Sequence, residues 1–191
     1  MTRLPSLLAL TLAAALLVGC GSDSDGAGDS STYGAELQHS DFDPDNADDY
    51  NALLELPDGR KVAMFYDTGK GLAEQHYSPE EKSWTEPELI YETDTDPCQG
   101  IHLDEADGTV AVTADWALYC YDGEPPNESL AGVATGDLTE WDTDLTEGFD
   151  GWSEPKVDKD GSGVVWFYHS ARLSWTEGEG FEKDLDTASH S

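Results

Sequence analysis

Three segments of this chain share one pattern, in which a short apolar run is followed by an Asp-Gly pair and a second apolar run. The pairs begin at Asp58, Asp107 and Asp160, so they recur after 49 and 53 residues. An Asp-Gly pair between two strand-like runs is the strongest local signal of a β-hairpin, because these residues accept the backbone angles of a tight turn. A recurrence near 50 residues predicts a unit of sheet that is repeated along the chain.

The apolar runs that follow the Asp-Gly pairs also resemble one another. They are Val62-Ala63-Met64-Phe65-Tyr66, Val110-Ala111-Val112 and Val164-Val165-Trp166-Phe167-Tyr168. A further echo places Trp, Glu and Pro at the same offsets in residues 83–89 and 151–157. After residue 50 no stretch has the sustained 3.6-residue apolar period of an amphipathic helix. We therefore predict an all-β domain over residues 50–191, made of about three repeated β-meander units with roughly ten to twelve short strands.

These units resemble the blades of sialidase-type and furanosidase-type β-propellers, in which strand pairs are followed by a turn and a Trp-Thr/Ser-x-Pro run. In addition, Gly136-Asp137-Leu138-Thr139-Glu140-Trp141 is similar to the Ser-x-Asp-Leu-x-x-Trp run of five-bladed arabinanase-like enzymes. The resemblance covers about residues 50–184 and implies blade architecture. It does not imply sialidase chemistry, because only Ser83-Trp84 matches the sialidase Asp-box. Sialidases also use three arginines to bind the carboxylate of sialic acid, whereas Arg60 and Arg172 are the only arginines after the predicted signal peptide.

The length of the domain limits how such blades can be arranged. The 142 residues from 50 to 191 provide about three blades at roughly 40 to 50 residues each, whereas propellers close with four or more. We therefore expect one of three arrangements: an open arc, a sandwich of meanders, or a ring that a second chain completes.

The N-terminus has the features of an exported lipoprotein. Arg3 precedes twelve apolar or small residues from Leu7 to Val18, which span roughly 18 Å as a helix and fall short of a ~30 Å bilayer core. Leu17-Val18-Gly19-Cys20 resembles the lipobox of bacterial lipoproteins, in which the Cys receives a diacylglycerol thioether. We predict a lipoprotein signal peptide over residues 1–19 and lipidation of Cys20, with an ordinary secretory peptide as the alternative. The mature protein would then lie on the extracytoplasmic face of the cell membrane, held by its lipid.

Residues 20–49 contain nine acidic side chains and no basic ones, together with many Ser and Gly residues. Such a composition buries too little apolar surface to offset its ordering entropy, so we predict a disordered, flexible acidic tether. The alternating run from Asp41 to Asn46 also suggests a calcium loop, but Pro44 and the absence of a later, suitably placed Glu favour the tether.

Two cysteines remain once Cys20 is lipidated. In an oxidising compartment the simplest pairing is a disulfide between Cys98 and Cys120. Free structural thiols or a metal site are the alternatives, and the lack of a nearby His pair argues against zinc.

Few other residues suggest a site. Asp158, Asp160, Ser162 and Gly163 copy the first half of an EF-hand calcium loop, but position 12 falls on His169. We therefore expect a plain hairpin turn and no cofactor, with calcium binding at Asp158, Asp160 and Ser162 as the alternative. Large aromatic residues are expected mainly in the core. Trp116 and the loop that begins at Tyr121 are the better candidates for an exposed recognition edge.

Charge and motifs narrow the function further. The chain has 41 acidic against 9 basic residues and a net charge of −32, which excludes nucleic acid as a partner, since phosphate binding needs clustered cations. No common catalytic motif is present. We expect a lipid-anchored bacterial protein whose β-rich module binds an envelope ligand, either protein or glycan, without catalysis. The alternatives are a small or degenerate glycan hydrolase of the propeller type and a structural envelope spacer.

Overall fold

The computed structural model describes residues 32–39, 42, 50–118 and 127–185, and its regular elements there are all β-strands. Fourteen strands within these residues form three antiparallel sheets. The first sheet contains β1 (Tyr33–Ala35), β2 (Asn51–Glu55), β3 (Lys61–Asp67), β4 (Gly71–Ser78), β5 (Ser83–Thr85) and β6 (Glu88–Glu92). The second contains β7 (His102–Ala106), β8 (Thr109–Trp116), β9 (Glu128–Ala134) and β10 (Trp141–Glu147). The third contains β11 (Lys156–Val157), β12 (Gly163–Tyr168), β13 (Ala171–Thr176) and β14 (Gly180–Asp184).

Each sheet is a meander of strands that are consecutive or nearly so in the chain, except that β1 pairs with β5 in the first sheet. The second sheet has the order β10-β9-β8-β7 and the third has the order β11-β12-β13-β14. The first sheet has the order β1-β5-β4-β3-β2, and β6 also pairs with β4. The predicted all-β fold of about three meander units is therefore confirmed.

The three Asp-Gly pairs lie in the turns that open the meanders, between β2 and β3, β7 and β8, and β11 and β12. In the tightest of these turns, Asp107 and Gly108 have φ angles of 48° and 82°. Two successive positive φ angles match the right-handed twist of the flanking strands, which explains why this dipeptide opens a hairpin here.

The second sheet is packed on both faces, as the alternation along β8 demonstrates. Val110, Val112 and Ala114 belong to the core shared with the first sheet, whereas Ala111 belongs to the core shared with the third. All eight residues of β8 are buried. A strand covered on both faces is largely apolar, and each fully buried Val or Leu side chain contributes roughly 1.5 to 3 kcal/mol. The buried polar residues of β8 are Thr109, Thr113 and Asp115.

The sheets follow one another in chain order without closing. The strands that precede the three Asp-Gly turns lie near each other, since β2 and β11 both contact β7. In addition, β10 of the second sheet contacts β6 of the first. The two core clusters join the first sheet to the second and the second to the third. Neither cluster joins the third sheet to the first, so each terminal sheet has one face directed away from the other sheets.

The predicted domain boundary at residue 50 is too late. Tyr33 and Ala35 in β1 pair with Thr85 and Trp84 in β5, so this part of the predicted tether forms the edge of the first sheet. The reason is that aromatic and apolar side chains interrupt the acidic run and find partners on that sheet. Residues 20–31, 40, 41 and 43–49 of the predicted tether lie outside the described residues, as do the signal peptide and Cys20.

The second sequence echo does not mark equivalent positions. Trp84 lies in β5 and Pro87 precedes β6, a late strand of the first sheet, whereas Trp152 and Pro155 precede β11, the opening strand of the third. The Asp-Gly hairpins therefore carry the repeat, and the Trp-x-Glu-Pro runs do not. Among the residues that the structure describes, no helix has the length and apolar character needed to cross a membrane.

Candidate binding face

The exposure predicted for Trp116 is wrong. Its side chain is 1% exposed, and its ring centroid lies 5.3 Å from that of Tyr66 and 4.9 Å from that of Tyr91. Trp116 ends β8 on the face that packs against the first sheet, where a large ring fills the end of the interface. Tyr121, the other predicted contact, lies outside the described residues.

The hydroxyl group of Tyr66 ties this aromatic cluster to the backbone. It accepts a hydrogen bond from the Asp115 amide at 3.0 Å and donates to the Gln99 carbonyl at 3.0 Å. Burial raises the pKa of Tyr66, so the ring stays neutral. These contacts indicate a structural role for the cluster.

Cys98 lies beside the end of β8. Its amide donates to the Asp115 carbonyl at 2.9 Å, and the Ala117 amide donates to the Asp96 carbonyl at 3.0 Å. Residues 96–98 thus run antiparallel to the segment that leads towards Cys120. Cys120 lies outside the described residues, and its pairing with Cys98 stays a prediction.

The residues of the suggested calcium loop form the turn between β11 and β12. The Asp160 carboxylate accepts hydrogen bonds from the Ser162 hydroxyl at 2.8 Å and the Ser162 amide at 3.3 Å, which lower its pKa. The Asp158 amide donates to the Gly163 carbonyl at 2.8 Å. Within the described ranges no three His, Cys, Asp or Glu side chains converge as metal ligands. The oxygens of Asp160 are oriented to hold the turn, and calcium binding stays untested.

The arabinanase-like run also builds a turn, the one between β9 and β10. The Asp137 carboxylate accepts hydrogen bonds from the Thr139 hydroxyl at 2.8 Å and its amide at 3.3 Å, which lower the pKa of Asp137. Leu138 has a φ of 67° and is fully buried. Its side chain anchors the turn in the core, so the spacing of this run has a structural explanation.

A cleft between β6 and β10 brings carboxylates together. It has a volume of about 420 Å³ and is lined by Glu88, Glu140, Trp141 and Asp142, among others. Glu74 lies opposite Glu88 on β4, and its carboxylate contacts His76 Nδ1 at 2.8 Å. Burial raises the pKa of Glu74, but its side chain is only 3% exposed. A general acid must reach its substrate, and Glu74 is not among the residues that line this cleft.

The outer face of the first sheet, directed away from the second, is covered by the N-terminal segment. The Phe65 ring lies 4.7 Å from that of His39 and 6.2 Å from that of Phe42, and Phe65 is 3% exposed. Gln75 accepts a hydrogen bond from the Gln38 amide at 3.0 Å and donates to the Glu36 carbonyl at 3.3 Å.

The outer face of the third sheet has no such cover among the described residues. Val164 and Trp166 pack towards the second sheet, so Val165 and Phe167 point outwards, and Phe167 is 45% exposed. Arg172 lies opposite Phe167 on β13, and its side chain is also exposed. Asp184 and Glu182 on β14 pair with Arg172 and Ser174 and are exposed on the same side. We name the surface formed by these residues the open face: Lys156, Val165, Phe167, Arg172, Ser174, Glu182 and Asp184.

The registers of the two sheets match position by position. In the first sheet Phe65 pairs with Ala73 and Ala63 with Gln75, and in the third Phe167 pairs with Arg172 and Val165 with Ser174. Phe167 therefore corresponds to Phe65, Arg172 to Ala73 and Ser174 to Gln75. The echo of the two apolar runs identified this correspondence in the sequence, but nothing local distinguished the covered Phe from the exposed one.

No family model and no curated protein sequence matches the chain. Among solved structures, the chain is similar to the crystal structure of a functionally unknown protein from Desulfotomaculum acetoxidans DSM 771, at 13% sequence identity and a TM-score of 0.23. The match covers 65% of this chain and 50% of that protein.

Proposed function

We propose that this protein is an exported bacterial binding module, anchored by lipid at Cys20 to the extracytoplasmic side of the cell membrane, that holds a partner on its open face without catalysis. One observation carries the binding role: Phe167 is 45% exposed at the position where Phe65 is 3% exposed. A large exposed apolar side chain on a strand whose counterpart is covered favours a surface that a partner completes.

The anchoring is supported by sequence alone. Leu17-Val18-Gly19-Cys20 ends an apolar segment that is too short to span a bilayer, and acidic residues follow it. A lipid at Cys20 would hold the sheets near the membrane, with residues 21–31 as a spacer.

The anchoring is tested by Cys20→Ala in the native host, with Ser22→Ala as the matched control. We expect Cys20→Ala to abolish lipid labelling and to move the protein from the membrane fraction to the soluble fraction. The control should stay with the membrane. A Cys20→Ala protein that still sediments with membranes would contradict the proposed anchor.

A glycan hydrolase is the second candidate, and the cleft of Glu88, Glu140 and Asp142 beside Trp141 favours it. A pair of carboxyl groups roughly 5 to 9 Å apart is the requirement for glycoside hydrolysis. Incubating the purified protein with arabinan and measuring reducing ends tests this candidate. We expect no release above that of a Glu140→Gln and Asp142→Asn double variant, and release that this variant loses would favour the enzyme.

A further inference from the structure

We infer that the N-terminal segment, residues 32–42, is a salt-dependent strap, which leaves the outer face of the first sheet at low ionic strength and covers it at high ionic strength. Three observations carry this inference. The segment has few contacts with the sheet, no ion pair joins its described part to the sheet, and the segment and the protein carry charge of the same sign. The inference goes beyond the proposed function, because release of the segment requires neither an anchor nor a partner.

The segment contacts the sheet at separate points along its length. The strand β1 has three residues, and its register with β5 shifts between Tyr33 and Ala35. Further along, the Gln38 amide donates to the Gln75 side chain at 3.0 Å, and the ring of His39 lies 4.7 Å from that of Phe65. A short strand held by so few contacts opens locally at a smaller free-energy cost than the strands of the core.

Opposite charges do not hold the segment in place. No ion pair joins its described part to the sheet. Lys61 lies on the outer face but pairs with Glu55 at 3.1 Å, and Lys70 pairs with Asp67 at 2.7 Å. The turn before β5 places Lys82 directly after two acidic residues, at positions 80 and 81. The segment therefore depends on its ring contacts and on hydrogen bonds.

Like charges oppose the docking of the segment. Residues 32–49 contain six acidic side chains and no Lys or Arg, and the whole chain has a net charge of −32. Repulsion between exposed charges extends over a Debye length of about 30 Å at 0.01 M salt, but over only about 3 Å at 1 M. Salt thus removes the force that opposes docking and leaves the ring contacts and hydrogen bonds, so the docked state becomes more populated.

Release of the segment changes the first sheet and the reach of the chain. It uncovers Phe65 and Gln75, which are 3% and 0% exposed beneath the segment. With the proposed anchor at Cys20, release also lengthens the spacer from residues 21–31 to residues 21–49. Only this second consequence rests on the proposed function. An exported protein meets the ionic strength of its surroundings, and the segment would convert that ionic strength into the exposure of a sheet face.

Hydrogen exchange of the full-length mature protein in an uncharged detergent tests the strap. Exchange is followed by mass spectrometry in sodium chloride from about 0.01 M to about 1 M, with unstructured peptides of the same sequences as the reference for intrinsic rates. We expect the protection of residues 33–39 to rise at least about fivefold over this range. The edge strand β14 should change by less than about twofold, because Arg172 and Lys183 balance its acidic residues.

Charge variants test the cause. Glu36→Gln combined with Asp41→Asn removes two acidic side chains and keeps the hydrogen bond from Gln75 to the Glu36 carbonyl. We expect this variant to protect the segment about threefold more than the wild type at 0.01 M salt, with a salt response below about twofold. The matched control, Glu182→Gln combined with Asp184→Asn, removes the same charge from the third sheet. It should retain the salt response of the wild-type segment.

Removal of the ring contacts tests whether the segment opens independently of the sheets. In His39→Ser combined with Phe42→Ser, the segment should be about tenfold less protected than in the wild type at 1 M salt, whereas β8 should keep its protection. Protection of the segment that does not depend on salt, or that rises equally in β14, would overturn the inference. So would a matched control that loses the salt response, or a loss of protection at low salt that the segment and β8 share.

Discussion

The first and third sheets begin with nearly the same sequence and end in different surroundings. Val62 to Tyr66 and Val164 to Tyr168 form second strands of matching register, with alternate side chains packed on the second sheet. The outward Phe is covered in one sheet by residues more than 20 positions upstream and is exposed in the other. Local sequence thus sets the strand and its inner face, whereas a distant segment decides the state of the outer face.

The two interfaces with the second sheet also differ in how they bury a carboxyl group. Between the first and second sheets, Glu74 has His76 as a hydrogen-bond partner at 2.8 Å. Between the second and third, Asp115 is 1% exposed and one of its oxygens has no partner. Burial raises the pKa of Asp115 to about 6, the hydrogen bond from Ser129 opposes the shift, and the charge of Asp150 adds to it.

The largest effect is expected from the two corresponding Phe residues. Phe65→Ala should lower the free energy of unfolding by about 3 to 5 kcal/mol, because it opens a cavity beneath the N-terminal segment. Phe167→Ala should lower it by less than about 1 kcal/mol, since a half-exposed ring leaves no closed cavity. Urea denaturation of the two variants measures both values, and equal losses would mean that Phe167 is covered in solution.

The second prediction concerns pH. Because the folded pKa of Asp115 is raised from 3.8 to about 6, the folded state binds the proton more tightly than the unfolded state. The protonated Asp115 side chain therefore stabilises the folded state fully below about pH 4, and this stabilisation is lost as the pH rises through about 6. A shift of about two pKa units corresponds to about 3 kcal/mol.

Asparagine cannot ionise, so the Asp115→Asn variant should not lose stability as the pH rises. Its free energy of unfolding should exceed that of the wild type at pH 8 and be about equal to it near pH 4. Thermal melts across this range measure the difference, with the exposed Asp184→Asn as the matched control. A variant less stable than the wild type at every pH would show that the carboxylate has a stabilising partner in solution.

The third prediction compares Gln75 with Ser174, which occupy corresponding positions. Gln75→Ala should lower the free energy of unfolding by about 2 kcal/mol, because it leaves three backbone groups without that hydrogen-bond partner. These are the Gln38 amide and the Thr85 and Glu36 carbonyls. Ser174→Ala should change stability by less than about 0.5 kcal/mol, since its hydroxyl makes a single 3.5 Å contact with the Glu182 carbonyl. Denaturant titration measures both, and a neutral Gln75→Ala would indicate that the N-terminal segment does not stabilise the first sheet.

Sequence predicted the elements that depend on neighbouring residues. The Asp-Gly turns at 58, 107 and 160 and the apolar strands after them follow from turn geometry and burial, and the structure contains all three hairpins. It could not place Trp116, because a large aromatic residue at a strand end suits a surface as well as an interface. It also could not assign residues 33–39, because their acidic composition predicts disorder, whereas the rings of Tyr33 and His39 contact rings 43 and 26 positions away.

The smallest effect is expected from calcium, and corresponding turns of the two sheets test it. Asp58 accepts hydrogen bonds from the Arg60 amide at 3.0 Å and side chain at 2.7 Å, just as Asp160 accepts from both groups of Ser162. Because hydrogen bonds already hold both carboxylates, calcium should act on the acidic chain mainly by screening. Sodium and calcium chloride at about 0.1 M ionic strength should then raise the melting temperature equally, in the wild type, Asp58→Asn and Asp160→Asn. A calcium-specific rise of several degrees that Asp160→Asn abolishes and Asp58→Asn retains would establish a metal site in the third sheet, since a bound ion stabilises only the state that contains its site.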